Sequence, residues 1–183
     1  MEDVAKDFLN ELIRRSLIQV ADTLWQEVTE CRIYLSTSGS CRKKGIRDDE
    51  SVPATEYLSS CQKLQKLWLD GRIEKLPLSY PFPNSITVMV LVNLELMEDS
   101  MPILGMFPNL RNLGLVAAYK GKEITCNDNN FCQLEFLRLD SLQNLERWHL
   151  DTSAMPLIKG LGIHDCPKLK EIPELIKDVH VGS

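Results

Sequence analysis

The chain has 183 residues, 26 acidic and 21 basic, giving a formal net charge of −5, and 44% of it is hydrophobic. Such a composition excludes collagen-like and low-complexity classes and gives no global electrostatic reason to bind nucleic acid. The longest apolar run, residues 86–94, is broken by Asn93 and falls far short of the roughly 20 residues that span a bilayer.

In chain order, the first 35 residues have their own grammar. Val4, Phe8, Leu9, Leu12 and Ile13 fall on one stripe at helical spacing, with Glu2, Asp3 and Asp7 in the first turn and Arg14-Arg15 at the end. Residues 17–21 and 28–35 then read as two strands joined by a polar turn at Asp22-Thr23. A helix followed by a hairpin is the end of a winged-helix module. Residues 36–63 are polar and of mixed charge at first, and read as a linker or a degenerate capping unit. The start of the chain, Met-Glu-Asp-Val-Ala-Lys-Asp, lacks the basic-then-apolar order of a signal peptide. The six cysteines form no C-x-x-C pair, and with no signal peptide they read as reduced thiols of a cytoplasmic protein.

From residue 64 to the end the chain is periodic. The pattern L-x-x-L-x-L, with Ile or Met allowed, occurs at Leu64-Leu67-Leu69, Ile86-Met89-Leu91, Leu110-Leu113-Leu115, Leu134-Leu137-Leu139 and Ile158-Leu161-Ile163. The starts lie 22, 24, 24 and 24 residues apart, which is the period and pattern of a leucine-rich repeat. In x-L-x-L the leucines alternate onto one face of a short strand while the x residues face away. One unit cannot bury its apolar face alone, so neighbours stack. The predicted fold is α/β: a leucine-rich-repeat solenoid of about five units, its short parallel sheet on the concave side, preceded by the winged-helix remnant. Ile73, Leu76, Leu145, Leu169 and Ile172 are expected to close the core from the convex side. The asparagine that many such repeats carry three residues past the second strand leucine is missing: Arg72, Leu94, Ala118, Leu142 and Cys166 stand there. Irregular convex loops are the expectation.

The run Asp7-Phe8-Leu9-Asn10-Glu11-Leu12-Ile13-Arg14-Arg15-Ser16-Leu17-Ile18-Gln19-Val20 resembles the winged-helix segment of plant coiled-coil, nucleotide-binding, leucine-rich-repeat disease resistance proteins. Residues 101–110 and the stretch Cys166-Pro167-Lys168-Leu169-Lys170-Glu171-Ile172-Pro173 are similar to the irregular repeats of the same family. The resemblance implies a truncated receptor, divided into a winged-helix remnant at 1–35, a linker at 36–63 and repeats at 64–183. It implies a non-enzymatic interaction module in defence, whose partner is a pathogen effector, a guarded host protein or another receptor domain. Departures from the family matter too. Tyr34 and Leu35 stand where the family's nucleotide-contacting His-Asp would be, and no G-x-x-x-x-G-K-[ST] occurs. No cofactor is therefore expected. A nucleotide-dependent switch fragment, or an inert truncated gene product, is the alternative.

Outward strand positions are the candidate protein-binding residues, because the concave sheet is the usual contact surface of solenoids. They are Trp68, Asp70, Val90, Val92, Arg138, Asp140 and His164, with Trp and Arg enriched among interface hot spots. Val88, Val90 and Val92 make both faces of their strand apolar, so that face is either a contact patch or covered by the N-terminal segment. His164-Asp165-Cys166 reads as structural, since three adjacent residues point different ways and no second ligand pair sits at zinc spacing. Cys126 and Cys132 bracket a polar loop that lacks the Gly and Glu of a calcium site. No catalytic constellation is identifiable by spacing.

Overall fold

The computed structural model describes residues 18–19, 23–24, 27–35, 63–72, 76 and 83–181. The predicted N-terminal helix lies outside these residues. The strands are β1 (Ile18–Gln19), β2 (Thr23–Leu24), β3 (Glu27–Val28), β4 (Glu30–Leu35), β5 (Lys66–Gly71) and β6 (Val88–Val92), followed by one short helix, α1 (Met101–Leu104). Then come β7 (Asn112–Val116), β8 (Glu123–Cys126), β9 (Phe136–Asp140), β10 (Arg147–Leu150), β11 (Gly160–His164) and β12 (His180–Val181).

All five predicted repeat strands form, as β5, β6, β7, β9 and β11, each parallel to the next. Leu67, Met89, Leu113, Leu137 and Leu161 stand side by side in register. Thirteen of the fifteen repeat anchors are buried, while Ile158 and Ile163 are half-buried. The solenoid is thus a stack of identical apolar rungs, as the spacing predicts.

The sheet extends past the repeats at both ends. β4 pairs in parallel with β5, placing Cys31 opposite Leu67 and Ile33 opposite Leu69. β1 pairs antiparallel with β4, but the turn expected at Asp22-Thr23 is displaced: Thr23 lies in β2, which pairs antiparallel with β3, and β4 serves the repeat sheet as well. Residues 36–62 therefore connect two neighbouring parallel strands. At the other end β12 adds to β11.

The far side of the core is more regular than the missing asparagines suggested. β8 and β10 pair in parallel as a second, two-stranded sheet, and Leu96 bridges Tyr119 in the same manner. Ile124, Cys126 and Trp148 point into the core from this side, joined by Leu76, Leu104, Phe131 and Leu145. Two backbone ladders supply the order. The carbonyls of Thr29, Gln65, Thr87, Arg111 and Glu135 each accept two successive N–H groups from the next repeat, at 2.8–3.1 Å. At the opposite strand end, one residue per repeat takes a left-handed φ: Gly71, Asn93, Ala117, Ser141 and Asp165. The N–H groups of Asn93, Ala117 and Ser141 donate to Val116, Asp140 and His164 of the following repeat at 2.9–3.0 Å. With the backbone satisfied this way, the asparagine position is free to be apolar, and Leu94, Ala118 and Leu142 are fully buried there. The two end repeats differ: Arg72 is exposed and pairs with Glu95, and the Cys166 thiol donates to the His164 carbonyl at 3.2 Å.

Candidate functional site

Strand alternation sends the residues between the buried leucines to the open face of the sheet. In one row, Trp68, Val90, Gly114, Arg138 and Gly162 lie side by side. In the next row are Asp70, Val92, Val116, Asp140 and His164. Together they shape an open trough of about 1140 Å3. Val90, Val92 and Val116 form an apolar floor with Gly114, flanked by Trp68 on one side and by Phe136, Arg138 and Lys159 on the other, and the trough runs on past Arg138 over Gly160, Gly162 and His164.

Of the seven residues proposed from sequence, Trp68, Val90, Val92, Arg138 and His164 line this trough. Asp70 and Asp140 do not. The Asp70 carboxylate accepts a bond from the Asn93 side-chain amide at 3.1 Å. Asp140 is held by the Arg138 guanidinium at 2.5 Å and by the Ser141 hydroxyl at 2.9 Å. The Arg138 contact keeps the Asp140 carboxyl below its usual range. These carboxylates fix the rim and are not free to meet a partner.

Trp68 is itself oriented by a neighbour. The Arg32 guanidinium of β4 lies over its indole, 4.6 Å from the ring centroid, within cation–π range. Glu30 sits between Arg32 and Lys66 and pairs with both. On the other wall, Glu135 bridges Arg111 at 3.2 Å and Lys159 at 2.7 Å, with the Lys159 contact chiefly holding the Glu135 carboxyl low.

Phe136 and Gly160 are not among the residues proposed from sequence; they lie one residue before the first strand leucine, a row in which only Val88 is singled out by its apolar character. The Phe136 ring covers Gly160 so closely that a Cβ there would stand 2.6 Å from its Cδ1. Glycine at 160 is what allows the half-exposed ring to lie flat along the wall. His164, Asp165 and Cys166 diverge: His164 faces the trough, Asp165 accepts the Gln143 amide at 2.6 Å, and Cys166 turns to backbone carbonyls. Among the described residues, no three His, Cys, Asp or Glu side chains converge to hold a metal ion, and no helix is long and apolar enough to cross a membrane.

No protein-family model matches the chain. Curated relatives do. It is 37% identical to the probable disease resistance protein RF45 of Arabidopsis thaliana over 121 residues, 66% of this chain and 12% of the relative. It is 36% identical to the probable disease resistance RPP8-like protein 4 and 33% identical to the disease resistance protein RPP8, both of Arabidopsis thaliana. Each of these two matches runs over 115 residues, 62% of this chain and 13% of the relative. The chain thus spans about an eighth of the length of the relatives it matches. The repeat solenoid and these matches agree: the chain is similar to a leucine-rich-repeat segment of plant disease resistance proteins.

Proposed function

We propose that the chain is a non-enzymatic recognition module of plant defence, working inside the cell and binding a protein through the open face of its sheet. The partner is a pathogen effector, a guarded host protein or another domain of a receptor. The observation that carries this reading is the trough itself. Trp68, Phe136 and Arg138 stand around an apolar floor, and these residue types are enriched at protein interfaces, Trp and Arg among the hot spots. The disease resistance relatives support the setting in defence.

Purified chain is to be titrated against a panel of effectors and against the remaining domains of a relative receptor. Trp68→Ala and Arg138→Ala are each expected to weaken binding by about 2 kcal/mol, some thirtyfold, with unfolding unchanged. Unchanged binding in both variants, with loss on the opposite face in Lys122→Glu, refutes the assignment.

A further inference from the structure

The trough also indicates what kind of protein surface it takes, an inference that rests on the open face being the binding surface. Its floor offers a partner no backbone hydrogen bonds. The N–H and C=O groups of β6 and β7 are spent on their parallel neighbours, Val90, Val92, Val116 and Gly114 add no polar side chain, and the one amide among the lining residues, Asn112, stands at the very start of β7. An extended segment laid on this floor would bury unpaired peptide groups, which costs free energy for each one. A helix satisfies its own backbone and presents only side chains.

The dimensions agree. Trp68 and Arg138 occupy one row on strands three places apart. At roughly 4.8 Å per strand their backbones are about 14 Å apart, against about 10–12 Å for a helix with its side chains. A five-residue strand of roughly 16 Å matches about three helical turns.

Charge selects the chemistry of that helix. The chain carries −5 in total, yet the charged residues lining the trough, His164 aside, are Arg138 and Lys159, with no carboxylate among them. Their carboxylate partners lie beneath them. The side chains of Arg138 and Lys159 are 60% and 63% exposed, whereas Asp140 and Glu135 are 15% and 19% exposed. Arg111, on the other flank of Glu135, is likewise exposed at 59%. An approaching molecule meets cations first.

We infer that the trough is a docking groove for an amphipathic α-helix of a partner protein. The helix lies with an apolar stripe on Val90, Val92 and Val116 and with Asp or Glu residues along the flank facing Arg138 and Lys159. Its apolar stripe follows the i, i+3, i+4, i+7 spacing of groove-bound helices.

The test is a display selection on the full chain with two libraries. One is a stabilised helix with a fixed apolar stripe and randomised flanks, and the other is an extended-peptide library of equal size. The helical pool is expected to prevail and to enrich Asp and Glu on one flank. Enriched clones should lose at least tenfold in affinity against Gly114→Leu, and against Arg138→Glu combined with Lys159→Glu. Gly114→Leu projects onto the floor, where a Cβ at 114 meets the Val90 side chain at ordinary contact distances of 3.5 Å and beyond, and urea unfolding unchanged from the parent is required of the variant before it is scored. Extended peptides, or helices with basic or neutral flanks, that win and are blocked by Gly114→Leu overturn the acidic-helix inference and leave the open-face reading standing. Clones indifferent to Gly114→Leu, or no clone above background, overturn both.

Discussion

Asp99 joins α1 to the second sheet, and its removal has a calculable effect. Its carboxylate accepts the Met101 N–H at 2.9 Å and the Thr125 N–H at 2.7 Å. β8 is one edge of a two-stranded sheet, so Asp99 supplies an acceptor where no strand does. Asp99→Ala strips both donors. At a half-buried site each costs about 1 kcal/mol, the low end of the penalty for an unsatisfied group, so the loss is about 2 kcal/mol. Asp99→Asn behaves differently. Burial raises the Asp99 carboxyl above its ordinary value of 3.8, so the folded chain binds this proton more tightly than the unfolded chain does. Stability from this group is therefore fully present below pH 3.8 and is lost as pH rises through the folded-state value. Asparagine keeps an acceptor oxygen without the desolvated charge, and at pH 7 it should lie within about 1 kcal/mol of the parent. Urea unfolding at a series of pH values reads both effects. The parent should gain on Asp99→Asn as pH falls from 7 towards 3.8. Asp99→Ala within about 0.5 kcal/mol of the parent, or a parent-to-Asn difference independent of pH, would refute the reasoning.

Three further outcomes are expected. Leu142→Ala, in the fully buried rung that replaces the repeat asparagine, should cost about 3 kcal/mol in chemical denaturation, and a cost below about 1 kcal/mol would show that the rung collapses around the gap. Gly160→Ala drives the new Cβ against Phe136 and should cost about 1 kcal/mol in the parent but almost nothing alongside Phe136→Ala; additive effects would place the ring elsewhere. Burial pushes the Cys126 thiol up to about 12, whereas Cys132 is exposed. Iodoacetamide on the native chain should therefore modify Cys132 and spare Cys126 by peptide mass spectrometry, and equal rates would contradict that burial.

The repeat strands were legible because their signal is local and redundant. Each L-x-L triplet states which side faces the core, and five copies at nearly one spacing state that the units stack. β4 carries the same pattern in weaker letters, Val28-x-x-Cys31-x-Ile33, but a 36-residue offset from the first leucine repeat hid it. β12 was missed because it is two residues long and lies only 20 residues on from its neighbour. The second sheet was missed because its order comes from backbone groups, which the side-chain sequence does not encode. That Trp68, Val90, Val92, Arg138 and His164 face the trough follows from counting outward positions, a rule that also selects Asp70 and Asp140. Counting cannot say that Asp140 is engaged by the arginine two residues before it.

Sequence by itself determined the period, the buried rungs and the identity of the outward rows, since all three follow from residue alternation along one strand. Tertiary structure decided how those rows combine. Register brings Arg111, Glu135 and Lys159, each 24 residues from the next, into one ion-paired line. The close approach of Phe136 to Gly160 sets one wall of the trough, and side-chain packing turns the cations outward over their carboxylates. A trough exists only between strands, so its shape and its charge are properties of stacked neighbours and not of any one repeat.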